Sequence, residues 1–231
     1  MDALIVLAGG RSERFDGGPK ALASIDGTPM VGHVVARLAA LTHRVVISAR
    51  AEQHAPLRRA LAPLESAEAC LDLAFAADDV PDCGPVYGVS AGVSALTAQW
   101  PATFDGSGSR SVGLVACDLP LVESVLFERL ETALVETGVD AVVPETDDGY
   151  AHPLAGVYRL EPLCEAVAAV RPSADETARR QPGLFDVLSG LETCVVGGDD
   201  LPADAARMLS NVNTREALES VRESVADSSR W

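Results

Sequence analysis

The apolar positions of this chain fall into two rhythms that alternate along most of its length. Unbroken apolar runs at residues 4–7 (LIVL), 45–47 (VVI), 112–116 (VGLVA) and 141–143 (AVV), with a further candidate at 71–75, read as strands buried on both faces of a sheet. Between them the spacing becomes helical. Met30, Val31, Val34, Val35, Leu38 and Leu41 share one face, with Thr28 as the expected cap and Pro29 as first helical residue. Helices are also expected over 51–64, over 87–98 despite Gly88 and Gly92, and over 123–136. The second half is less regular, with strands expected at 154–158 and 193–196 and helices at 163–170, 183–188 and 214–225. Asn213 or Thr214 is the candidate cap of that last helix. Repeated strand–helix units of this size predict an α/β fold, a doubly wound and mostly parallel sheet. One domain is expected over 1–226, followed by a polar tail at 227–231.

Composition narrows the setting. The 48% hydrophobic content supports a packed core, while no apolar run approaches the roughly 18 residues of a membrane span. No basic segment precedes an apolar core at the N-terminus, so a cytoplasmic protein without membrane contact is expected. A net charge of −16 speaks against a nucleic-acid partner and suggests a salt-adapted source. Cys70, Cys83, Cys117, Cys164 and Cys194 lack C-x-x-C spacing, which favours buried thiols over disulfides or zinc.

The candidate chemistry begins where the first strand ends. Gly9 and Gly10 open a polar loop carrying Arg11, Arg14 and Lys20. Glycines there let backbone N–H groups turn towards an anion. A Walker A loop is excluded because Lys20 follows Pro19 and precedes Ala21, and no G-x-G-x-x-G follows Leu7. An ordinary glycine turn remains the plain alternative. Lys20 is the only lysine among 18 basic residues, which points to a place that needs a compact charge rather than a planar fork. Asp118 ends the fourth apolar run as Gly9 ends the first, outside the carboxyl ends of strands where α/β folds bind ligands. Its carboxylate suits a hard cation such as Mg²⁺, or simply caps the next helix. Asp78 and Asp79 lie in an acidic loop before GPVYG, and Asn211 and Asn213 bracket Val212 with both amides on one side.

The stretch LAGGRSERFDGGPKAL resembles the signature loop of nucleotidyltransferases, most closely that of the molybdenum cofactor guanylyltransferases. GPVYGVSAG, ACDLP, HPLAGVYR and NVNT follow in that family's order, so the resemblance runs over 4–221. It implies a Rossmann-like nucleotidyltransferase fold and transfer of GMP from GTP to the phosphate of molybdenum-bearing molybdopterin, with release of pyrophosphate. It also implies roles for particular residues. Leu7, Ala8, Gly9 and Gly10 would hold the nucleotide, and Arg14 and Lys20 its phosphates. Asp78, or Asp79, would reach the base with Gly84 and Gly88. Asp118 would hold Mg²⁺ with Asn213 beside it, and His152 and Pro153 would lie near the acceptor. Ser48 departs from the asparagine common in the family. Transient contact with cofactor-biosynthesis or acceptor proteins is a further implication. The alternatives are another phosphorylated acceptor (cobinamide phosphate, phospholactate or a sugar phosphate) and a non-catalytic GTP-binding module.

Overall fold

The computed structural model describes residues 1–10, 18–65, 70–78, 84–101, 110–170 and 181–228. Arg11, Arg14, Asp79 and Cys83 lie outside the described residues. The elements are β1 (Ala3–Leu7), a 3-10 turn (Lys20–Leu22), β2 (Ser24–Ile25), β3 (Thr28–Pro29), α1 (Met30–Leu38), β4 (Arg44–Ala49) and α2 (Ala51–Leu61). There follow β5 (Asp72–Ala77), α3 (Pro85–Gln99), β6 (Ser111–Ala116), α4 (Ser124–Thr137), β7 (Ala141–Pro144) and β8 (Ala155–Arg159). The chain then forms α5 (Leu160–Val170), α6 (Leu184–Leu188), β9 (Thr193–Val196), α7 (Ala205–Met208) and α8 (Arg215–Ser228).

Seven strands form one sheet in the order β5-β4-β1-β6-β8-β7-β9. The first four run parallel, β8 is antiparallel to both its neighbours, and β9 is parallel to β7. The side-chain period of two in β1 distributes the core. Leu4 and Val6 meet α1, α2 and α4 on one face, while Ala3 and Ile5 meet α3, α5 and α6 on the other. Helices therefore cover both faces of a mostly parallel sheet, the arrangement of a Rossmann-like nucleotidyltransferase fold. Each fully buried Leu, Ile or Val contributes about 1.5–3 kcal/mol, so the central strand is the hardest element to displace. Among the described residues, no helix is long and apolar enough to cross a membrane.

Three glycines let α3 take its place. Gly84 starts it at φ +93°, a conformation side chains other than hydrogen seldom adopt. A Cβ on Gly92 would stand 2.5 Å from Ile5 Cγ2, and one on Gly88 would stand 3.3 Å from Ser48 Oγ. Ser48 donates to the Gly88 carbonyl at 2.8 Å, so this buried hydroxyl ties β4 to α3.

Some expectations are corrected. Thr28 does not cap α1. It pairs with Ile25 in a hairpin turned by Asp26 (φ 46°) and Gly27 (φ 81°), so Thr28 and Pro29 form a strand and α1 begins at Met30. The Asp-Gly pair favours this two-residue turn because both positions need positive φ. Asp118 caps no helix, since α4 begins at Ser124 after Glu123. The cap of α8 is Thr214, whose Oγ1 accepts from Ala217 N at 3.2 Å. Of the described cysteines only Cys117 is buried, with Cys164 and Cys194 half-buried and Cys70 exposed.

Candidate active site

The sheet order reverses at β1. The chain leaves it for β4 on one side and later returns to β6 on the other, which opens a crevice at the carboxyl ends. The register aligns those ends, because Leu7 sits opposite both Ser48 and Ala116. Cys117 N donates to the Leu7 carbonyl at 2.9 Å and carries the pairing one residue further, to the threshold of Asp118. Arg50 Nε donates to the Gly9 carbonyl at 3.2 Å and holds the start of the glycine loop against β4.

A cleft of about 550 Å³ fills this crevice. Leu7, Gly9, Gly10, Lys20, Asp78, Gly84, Gly88 and Asp118 all line it, so most of the expected nucleotide site is brought together. Ala8 is the exception. Its side chain is in the core and its N–H is committed to the Ser48 carbonyl at 2.8 Å, so it positions its neighbours.

Lys20 and Asp118 line the cleft, and exposed Asn213 joins them from outside its lining. Lys20 Nζ donates to Asp118 Oδ2 at 2.7 Å and to Asn213 Oδ1 at 2.6 Å. The Lys20 and Asp118 side chains are each 19% exposed. Asp118 Oδ1 is buried with no hydrogen-bond partner. Asn213 is 95 positions from Asp118, and a third apolar cluster brings them together. Val212, Leu218 and Val221 pack on Ile25, Met30 and Leu121, and Val212 N donates to the Asp118 carbonyl at 2.8 Å. The site holds no group of three His, Cys, Asp or Glu among the described residues. Among the described residues, the oxygens that meet Lys20 are the Asp118 carboxylate and the Asn213 amide.

A second cavity of about 310 Å³ adjoins the first and shares Pro85, Ala116, Asp118 and Leu154 with it. His152, Pro153 and Asn211 line it together with Tyr150, Leu184 and Phe185. The tyrosine and phenylalanine rings were not singled out from the sequence. Both are 52% exposed, and they meet edge to face at 6.1 Å. Their signal was the rarity of aromatics, only 4% of the chain, here placed in a polar turn and on a short helix. Burial holds the His152 imidazolium below its ordinary pKa, against the opposing pull of the Asp148 charge. Thr146 Oγ1 donates to Asp148 at 2.6 Å and lies 3.2 Å from His152 Nε2, so its oxygen accepts from a neutral His152 ring. Burial, reinforced by the Asp118 charge, pushes the Cys117 thiol up to about 12, which leaves it inert.

An α/β crevice that begins at a glycine pair, with Lys20 in its lining and Asp118 shared with the adjoining cavity, has the form of a nucleotide-handling site. The family model described as the MobA-like NTP transferase domain matches residues 4–182. A protein of Natronomonas pharaonis named probable molybdenum cofactor guanylyltransferase is 32% identical over 224 residues, covering 95% of this chain and 96% of that one. One of the same name from Haloferax mediterranei is 35% identical over 222 residues, covering 93% and 90%. The crystal structure of the Archaeoglobus fulgidus molybdopterin-guanine dinucleotide biosynthesis protein A superposes with a TM-score of 0.69 at 20% identity, covering 97% of this chain and 99% of that one. The chain belongs to the MobA-like NTP transferase domain family, and it is a nucleotidyltransferase that acts on a phosphorylated acceptor.

Proposed function

We propose that this enzyme transfers GMP from GTP to the terminal phosphate of molybdenum-loaded molybdopterin and releases pyrophosphate. The observation that carries the reading is the pair of adjoining cavities with Asp118 in their common wall. The name shared by the Natronomonas pharaonis and Haloferax mediterranei relatives, probable molybdenum cofactor guanylyltransferase, favours this nucleotide and acceptor over the alternatives. GTP would occupy the larger cleft, with Asp78, Gly84 and Gly88 towards the base and Gly9, Gly10 and Lys20 along the phosphates. Arg14 would join the phosphates from the glycine loop. The acceptor would enter the smaller cavity between His152, Tyr150 and Phe185.

An acceptor phosphate oxygen attacks the α-phosphorus of GTP. The bond from that phosphorus to the bridging oxygen breaks, and its electron pair leaves with pyrophosphate. The attacking oxygen is already anionic, so no protein nucleophile is needed. Lys20 contributes by lying beside the charge that develops on the leaving group. The two cavities contribute by holding attacking and leaving groups in line. The orphaned Oδ1 of Asp118 and the Oδ1 of Asn213 are hard oxygen donors that fit Mg²⁺. When bound there, Mg²⁺ supplies charge neutralisation for the triphosphate.

The test is pyrophosphate release measured with GTP, CTP and ATP, each with and without molybdenum-loaded molybdopterin. Release only with GTP and that acceptor is expected. GTP with Mg²⁺ should also bind at least tenfold tighter than CTP or ATP, a difference of about 1.4 kcal/mol. Equal calorimetric affinities would remove the guanine assignment, and release with a different phosphorylated acceptor would remove the molybdopterin assignment.

A further inference from the structure

The Lys20 ammonium lies where a cation would be expected. It is held by two hard oxygens, Asp118 Oδ2 at 2.7 Å and Asn213 Oδ1 at 2.6 Å. The backbones that carry those oxygens are tied together. Val212 is 1% exposed, and its N–H bonds the Asp118 carbonyl at 2.8 Å, so the backbone of Asn213 is held beside that of Asp118. The Lys20 backbone is fixed as well. Its carbonyl accepts from Ala23 N at 3.0 Å within the 3-10 turn, and Ala21 beside it is buried. The lysine side chain, on a flexible four-carbon stem, is the longest member of the set and can swing away from the carboxylate and the amide.

Lys20 takes Asp118 Oδ2 and Asn213 Oδ1 and leaves only Asp118 Oδ1 unpartnered, so a divalent metal and the ammonium compete for one carboxylate charge and one shared amide oxygen. Mg²⁺ draws oxygens to about 2.0–2.1 Å and gives up its water reluctantly, so it needs the full negative charge of Asp118. With Lys20 on Asp118 that charge is already neutralised, and an approaching metal ion meets a like charge. A triphosphate changes the balance, because its oxygens offer Lys20 new acceptors while bringing a metal ion of their own.

We infer that Lys20 is a built-in stand-in for the metal. It occupies the Asp118–Asn213 pair in the nucleotide-free enzyme, so the divalent ion enters only with the triphosphate that draws the lysine away. The inference rests on the proposed reading that this cleft takes a metal nucleotide. It adds a second role to Lys20 and an order to binding: metal and nucleotide together, never metal first.

The experiment uses Mn²⁺, followed by the loss of its free electron-paramagnetic-resonance signal, with the parent and Lys20→Met enzymes. Without nucleotide the parent should bind Mn²⁺ at least tenfold more weakly than Lys20→Met. With GTP the order should reverse, the variant binding Mn²⁺–GTP at least tenfold more weakly than the parent. Lys20→Arg keeps the charge and should keep nucleotide-free Mn²⁺ binding weak. Adding Asp118→Asn to Lys20→Met should abolish the gained site. Arg129→Met makes the same change in net charge at a surface ion pair with Asp200 and should leave Mn²⁺ binding at the parental level. Circular dichroism confirms that each variant is folded. Equal nucleotide-free Mn²⁺ affinity in parent and Lys20→Met would overturn the inference while leaving the transferase reading intact. An equal gain from Arg129→Met would overturn it in the same way, by reducing the effect to net charge. A parent that fails to bind Mn²⁺–GTP would remove both.

Discussion

Asp118→Asn separates the chemistry of the site from its stability, because two opposing terms can be compared directly. The substitution keeps shape and removes charge. It turns the 2.7 Å bond from Lys20 from one between two opposite charges into one from an ammonium to a neutral amide oxygen, a loss of about 1–2 kcal/mol. It also relieves a cost, since a neutral amide nitrogen in place of the buried, unpartnered Asp118 Oδ1 is still unpaired but no longer carries charge, a relief of about 1–2 kcal/mol. The terms are similar in size and opposite in sign, so folding stability should change by no more than about 1 kcal/mol. For a chain of this length that is a Tm shift of roughly 2–4 °C in either direction. Activity has no such compensation. Losing the carboxylate charge that would hold Mg²⁺ against the triphosphate should lower kcat/KM at least 10³-fold, about 4 kcal/mol of transition-state stabilisation. Thermal unfolding and pyrophosphate release on the same preparation decide the matter. Parental turnover at limiting Mg²⁺ would show that Asp118 is only half of a structural ion pair. A fall in Tm beyond about 10 °C would show that its charge holds the fold.

Other outcomes follow from the same geometry. Gly92→Ala should destabilise by about 2 kcal/mol or more, a Tm loss of roughly 4–8 °C, because its Cβ would meet Ile5 Cγ2 at 2.5 Å in a fully buried central strand; an unchanged Tm would mean α3 sits further from the sheet. Tyr150→Ala and Phe185→Ala should each raise the acceptor KM roughly two- to tenfold, from about 0.5–1.5 kcal/mol of ring contact, and leave the KM for GTP alone; a change in the GTP value only would place the acceptor elsewhere. At pH 9, where an unperturbed thiol is half ionised, iodoacetamide should label exposed Cys70 and leave Cys117 untouched, because raising the pKa to about 12 keeps that thiol protonated; rapid labelling of Cys117 would show that the β6 end opens.

The pattern of single residues determined the elements and much of the cleft. Runs such as LIVL are too short and too uniformly apolar for anything but a buried strand, and the register then carries whatever follows each strand to one edge. Gly9, Gly10 and Asp118 could therefore be grouped before any coordinate was known, since parallel strands fix which ends lie together. Ala8 could not be told from its neighbours that way, because whether an N–H is offered to a ligand depends on the strand alongside, here on the Ser48 carbonyl. Nor could the partnership of Lys20 with Asn213, 193 positions apart, which needs α8 packed on the β2–β3 hairpin. The second cavity is equally a product of packing. Tyr150 and Phe185 come from a turn and a short helix with no shared periodicity, and only the antiparallel insertion of β8 beside β6 brings their segments to the Asp118 edge. Local pattern records which face of an element seeks the core, whereas contacts between distant segments depend on how the finished layers stack. That stacking turned a lone lysine and a lone aspartate into one site.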